Sequence, residues 1–266
     1  MPERYRHPPL VELIAELRWS PFAPRQPQSP FLLATGSHEE FFTRFGSRAG
    51  ALGYERVERL VPPGFPATLH QTIYRFRKKA PEEGTTLYQV GVGVFSANIT
   101  PPYHSWQEFR TVVEAGVQIL LETRNLSEKE LPLISASLRY IDAFRKKYTE
   151  GRSTAAFIRD VLGFVVEPPA AVRDEIAADA ELRPSIQLLM PLKTGQQMSL
   201  ALAEGIVSGE EAVIMDVTVN SEGGISPKTD EVMTELETAH KTIHRVFVKT
   251  TTKLSHIMEL IEGEET

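Results

Sequence analysis

The chain has 266 residues, enough for one large domain or two small ones, and its 41% apolar content can bury a substantial core. With 35 acidic and 29 basic residues it carries a formal charge of -6, so the whole molecule is not drawn to nucleic acid or to an anionic membrane, and any phosphate binding must be local. The absence of cysteine excludes disulfides, thiolate nucleophiles and thiolate metal sites. The opening MPERYRHPPL has no apolar leader core, and no apolar run approaches the roughly 18 residues of a membrane span. A cytoplasmic protein with no membrane partner is expected.

In chain order, PLVELIAELRW (9–19) fits a strand with Val11, Leu13, Ala15, Leu17 and Trp19 on one face. It fits a helix equally well, and the flanking prolines favour the strand. The Pro-rich loop from Ser20 to Gly36 is long enough to suggest a functional or disordered segment. His38 to Leu52 reads as a helix, with Phe41, Phe42 and Phe45 on one face and Gly53 as its stop. Strands are expected over Tyr54 to Val61, Thr68 to Lys78 and Thr85 to Ile99, the last two joined by a turn from Lys79 to Gly84. Ser105-Trp106-Gln107-Glu108 has the form of a capping box and opens a helix to about Thr123. Leu131 to Arg145 alternates as a strand, and Pro168-Pro169 separates two helices, Ser153 to Leu162 and Ala170 to Glu181. Ser185 to Leu192, Gln196 to Val207 and Glu211 to Asn220 form an antiparallel meander. After Gly223-Gly224 a long helix runs from about Thr229 to Leu260, with Met233, Leu236, Ile243 and Phe247 on one stripe.

Runs of strands punctuated by helices predict an α+β fold: antiparallel sheets with helices packed on one side and a long C-terminal helix. Two similar halves, 1–150 and 151–266, are expected to pack as one compact unit. A strand pair followed by a long helix occurs in each, and FRKK recurs at Phe76 to Lys79 and Phe144 to Lys147, each time at a strand end.

The sharpest local signal is YQVGVGVFSAN. It lacks the third glycine of a dinucleotide loop and the Lys-Ser/Thr of a P-loop, so a nucleotide loop is not expected. In a strand, Gly91 and Gly93 bare one face, which suits the close approach of a helix or of a ligand. The following corner sets Tyr103, His104 and Trp106 at a helix N-terminus, where free amides and the dipole favour an anion. If the FRKK strands were neighbours, Arg75, Arg77, Lys78, Arg139, Arg145 and Lys146 would merge into one anion-binding patch. His240 and His244, at i and i+4 with Glu237 a turn earlier, have metal-ligand spacing, but HExxH is missing and they read as packed or solvated histidines. Glu12, Glu16 and Arg18 read as an ion-pair ladder. No catalytic set, metal site or cofactor is implied.

The blocks PPLVELIAELRW, YQVGVGVFSAN, PPYHSWQEF, SLRYIDAF and LETAHKTIHRVF, spanning residues 8 to about 247, resemble a sporadically distributed, uncharacterised prokaryotic protein family. The resemblance brings no catalytic or cofactor residue with it. A sporadic distribution is similar to that of accessory genes such as defence components, which implies an accessory role by analogy.

The expected function is therefore a non-enzymatic module that binds a protein or a small anionic ligand along the glycine strand and the aromatic corner. A homodimer through the C-terminal helix is expected as well. The rival is an enzyme acting on a nucleotide or other phosphorylated substrate in a basic cavity, with Glu12, Glu16 or His104 as functional groups. Binding of nucleic acid by the FRKK patch is a third, less favoured reading.

Overall fold

The alternation in residues 9–19 is that of a strand, and the strand is the fifth of nine in a single antiparallel sheet. The computed structural model describes residues 4–21, 31–32, 36–80, 84–177 and 179–261. Most of the Pro-rich segment and residues 81–83 of the expected turn lie outside the described residues. In chain order the first half comprises β1 (Arg4–Tyr5), β2 (Leu10–Trp19), β3 (Phe31–Leu32), α1 (Gly36–Ala51), β4 (Arg56–Arg59), β5 (Ala67–Thr68), β6 (Thr72–Arg77), β7 (Thr86–Gly91), β8 (Val94–Ile99) and α2 (Trp106–Thr123). The rest comprises β9 (Leu133–Arg145), α3 (Lys146–Thr149), α4 (Thr154–Asp160), α5 (Ala170–Arg173), β10 (Ile186–Pro191), β11 (Gln197–Val207), β12 (Glu210–Ile225), α6 (Thr229–Thr250), α7 (Ser255–Met258) and β13 (Leu260–Ile261).

The main sheet runs β10-β11-β12-β9-β2-β8-β7-β6-β4, every pair antiparallel. The α+β reading holds, and the two halves share one nine-stranded sheet beside the two-stranded β1-β13 and β3-β5, because β12 from the second half pairs along β9 from the first. Two hairpin-helix units, β7-β8-α2 and β11-β12-α6, flank the central β2–β9 pair.

Leu13, Ala15, Leu17 and Trp19 of β2 point to one face, together with Leu138 and Phe144 of β9 and Val217 and Val219 of β12, and all are buried. Helices α1, α2 and α6 cover that face, over β6, over β8, and over β9 with β12. Each fully buried Leu or Phe contributes roughly 1.5–3 kcal/mol. The opposite face is polar, with Glu16, Arg18, Ser137, Arg139, Thr218 and Asn220 lining a groove of about 360 Å³.

Several expected boundaries moved for identifiable reasons. In β2 a bulge falls between Leu10 and Glu12, so Leu10 is buried where simple alternation would bury Val11. The expected strand 85–99 is a hairpin. Gly93 has φ 77° in its two-residue turn, a conformation that glycine adopts without steric cost. The helix expected to run to Leu260 stops at Thr250. There Thr250, Thr251 and Thr252 turn their hydroxyls back to the carbonyls of Val246, Phe247 and Val248 at 2.9, 2.7 and 3.0 Å. Such back-bonding by consecutive β-branched residues weakens helix continuation. The apolar stripe of α6 packs on its own sheet, and its outer side carries Glu231, Thr234, Lys241 and Arg245.

Candidate functional site

On the helix-covered face, a cavity of about 100 Å³ lies between the start of α2, α6, β9 and β12. The capped start of α2 forms one side. Extended Ser105 accepts a hydrogen bond from the Glu108 amide at 3.2 Å, which fixes the corner that carries Tyr103, His104 and Trp106. Helix α6 supplies His240, Ile243, His244 and Phe247, which share a face because they are spaced by three and four residues. The floor is Tyr140 and Asp142 of β9 with Met215 and Val217 of β12. Tyr5 of β1, which pairs with β13, and Leu10 of β2 complete the wall.

Asp142 is the unusual member. It is 3% exposed, and among the described residues its carboxyl makes no hydrogen bond or ion pair. Burial pushes its pKa up to about 8, with the charge of Asp216 adding to the shift. Asp216 points to the opposite sheet face, where Arg139 Nε donates to its Oδ1 at 2.8 Å. Beside Asp142 on the same strand face, the Tyr140 hydroxyl is 2.9 Å from His240 Nδ1. Burial raises the Tyr140 phenol well above its ordinary value. The His240 ring stacks on Trp106 at 4.6 Å and 11°, and its centroid lies 5.7 Å from that of His244. Burial, then the charge of His244, pushes His240 down to about 4. Trp106 Nε1 donates to Glu237 Oε2 at 2.6 Å, which holds the indole in place. Among the described residues no lysine or arginine lines the cavity.

At neutral pH this chamber holds a protonated carboxyl, a neutral imidazole paired with a phenol, and aromatic faces. Such a set recognises a small ligand by one or two polar contacts inside an otherwise apolar wall. No family model, no curated protein and no solved structure matches the chain.

Of the residues singled out in the sequence, Tyr103, His104 and Trp106 line this cavity. Gly91 and Gly93 are absent from its wall and meet the chain's own backbone. A Cβ on Gly91 would lie 1.9 Å from the Gln71 carbonyl oxygen, and one on Gly93 would lie 2.6 Å from that of Trp19. The FRKK segments are not neighbours. β7, β8 and β2 stand between β6 and β9, a separation of about 19 Å over four inter-strand steps. Arg75, Arg77 and Lys78 therefore do not merge with Arg139, Arg145 and Lys146. Arg75 pairs with Glu58 at 3.2 Å, Arg145 with Glu210 at 3.4 Å, and Lys78 donates to the Leu52 carbonyl at 2.7 Å. Glu16 and Arg18 pair at 2.7 Å in the polar groove, while Glu12 accepts from Asn98 Nδ2 at 2.8 Å.

Asp142 escaped the sequence reading although its signal was present. In the strand 131–145, the face of Ala136, Leu138, Tyr140 and Phe144 includes one aspartate, and a carboxyl on an apolar face has to be buried. His240 gave the same signal by lying near the apolar stripe of its helix.

Proposed function

We propose that this protein is a non-enzymatic binder of a small ligand, held in the cavity between α2, α6 and β9. One observation carries the reading: the Asp142 carboxyl is buried in the cavity wall with no partner among the described residues. The carboxyl lines the cavity, where a ligand can reach it with a hydrogen bond or an opposite charge. Four of the five blocks behind the family resemblance contribute to this cavity, through Leu10, Trp106, Asp142 and His240.

The test is a thermal-shift screen of small compounds against the wild type and against Val217→Phe, which fills the cavity from its floor. A ligand at about 100 times its Kd adds about 2.7 kcal/mol to wild-type stability, and the filled variant should lose that response. A screen without a responder, or responders indifferent to Val217→Phe, would refute the reading.

A second reading has one observation behind it. Asp142 and His240, displaced in opposite directions, share a single cavity, as acid and base do in proton-transfer enzymes. A ligand recovered chemically unchanged after prolonged incubation would exclude it. The phosphorylated-substrate reading finds no support in a wall without lysine or arginine among the described residues.

A further inference from the structure

The character of the wall narrows the ligand class, and this step rests on the reading of the cavity as a ligand chamber. The rings of Tyr5, Tyr103, Trp106, Tyr140 and Phe247 surround a space that contains one carboxyl group, and among the described residues three histidines but no lysine or arginine share it. Aromatic faces attract a cation through their quadrupole, most strongly where water is excluded. The Asp142 carboxyl, which has no hydrogen bond or ion pair among the described residues, supplies the counter-charge. Phosphate or carboxylate would instead face electron-rich rings with no lysine or arginine among the described residues to neutralise it. The volume, about 100 Å³, suits one compact head group rather than an extended ligand.

We propose that the cavity binds a small organic cation, an alkylammonium or quaternary ammonium group, with its positive centre among the aromatic rings and its charge neutralised by Asp142. Binding then converts Asp142 from carboxylic acid to carboxylate, and its proton leaves to solvent. His104, His240 and His244 face the same space, and Asp216 acts through β12, so the proton has to be assigned by substitution.

Isothermal titration with choline and with its neutral isostere 3,3-dimethylbutan-1-ol is the test, run at pH 7 in two buffers of different ionisation enthalpy. Choline should bind with release of about one proton, the isostere should bind more weakly with none, and Asp142→Asn should weaken choline by about tenfold or more while leaving the isostere unchanged. Equal binding of both compounds to the wild type, without proton release, would overturn the cation assignment yet keep the ligand chamber, provided Val217→Phe abolishes both. Failure of choline, tetramethylammonium and isobutylammonium to bind at millimolar concentration would overturn it outright. The buffer comparison needs only the wild type, so it decides the matter even if a variant misfolds.

Discussion

At the scale of single residues, the cavity makes stability depend on pH in a way that surface charges do not. Asp142 ionises near 3.8 in the unfolded chain and near 8 in the folded one, so unfolding releases a proton across that window and stability falls as pH rises through it. His240 works in the other direction. It takes up a proton below 6.5 when unfolded but only below about 4 when folded, so stability falls as pH drops through that range. Each slope is at most about 1.4 kcal/mol per pH unit. They oppose each other between about 4 and 6.5, and the Asp142 slope alone acts from there to about 8. Denaturant titrations at pH 6.5 and pH 8 should therefore show the wild type losing on the order of 2 kcal/mol relative to Asp142→Asn. Parallel profiles for the two proteins would show that the carboxyl is not held neutral.

Elements approach one another closely at Gly116 and Gly91, whereas Gly50 has room to spare. In α2, a Cβ at Gly116 would lie 2.6 Å from Tyr88 Cε1 and 2.7 Å from Phe95 Cζ, both rings on the sheet beneath. Gly116→Ala gains helix propensity but lifts the helix, and a net loss of about 1–3 kcal/mol is expected. Gly50, near the end of α1, has nothing within 4 Å of a built Cβ, so Gly50→Ala should stabilise by about 0.5–1 kcal/mol. Gly91→Ala drives a carbon into the Gln71 carbonyl oxygen and should destabilise by about 3 kcal/mol or more. Melting temperatures of the three variants check the order directly, and a stabilised Gly116→Ala would mean that α2 does not sit this tightly. Much of this level was legible beforehand, because alternation in 9–19 and 131–145 and the phenylalanine spacing in 38–52 reflect local periodicity. What escaped depends on partners distant in sequence. The bulge at Val11 answers to β9, and the glycine face of β7 answers to the backbone at Gln71. The corner 101–106 was readable as a cap, but its role in a cavity required knowing that α6 lies across from it.

For the whole molecule, the consequence of a shared sheet is cooperativity. Residues 151–266 contribute β10, β11 and β12, and these reach the rest of the sheet only through the β12–β9 ladder, so neither half has a complete sheet of its own. Trp19 of β2 and Trp106 at the head of α2 report from the middle of the sheet and from the cavity wall. Their fluorescence and far-UV circular dichroism should change together in a single urea transition. Two separated transitions would mean that the halves fold independently. The clasp between β1 and β13 adds a matter of timing. Phe247 and β13, which holds β1 in place, are made more than two hundred residues after Tyr5. On the ribosome the nascent chain thus has no complete chamber until nearly all of α6 has emerged. A ligand of the proposed kind would meet a finished chamber only at that late point and would lock a fold already formed.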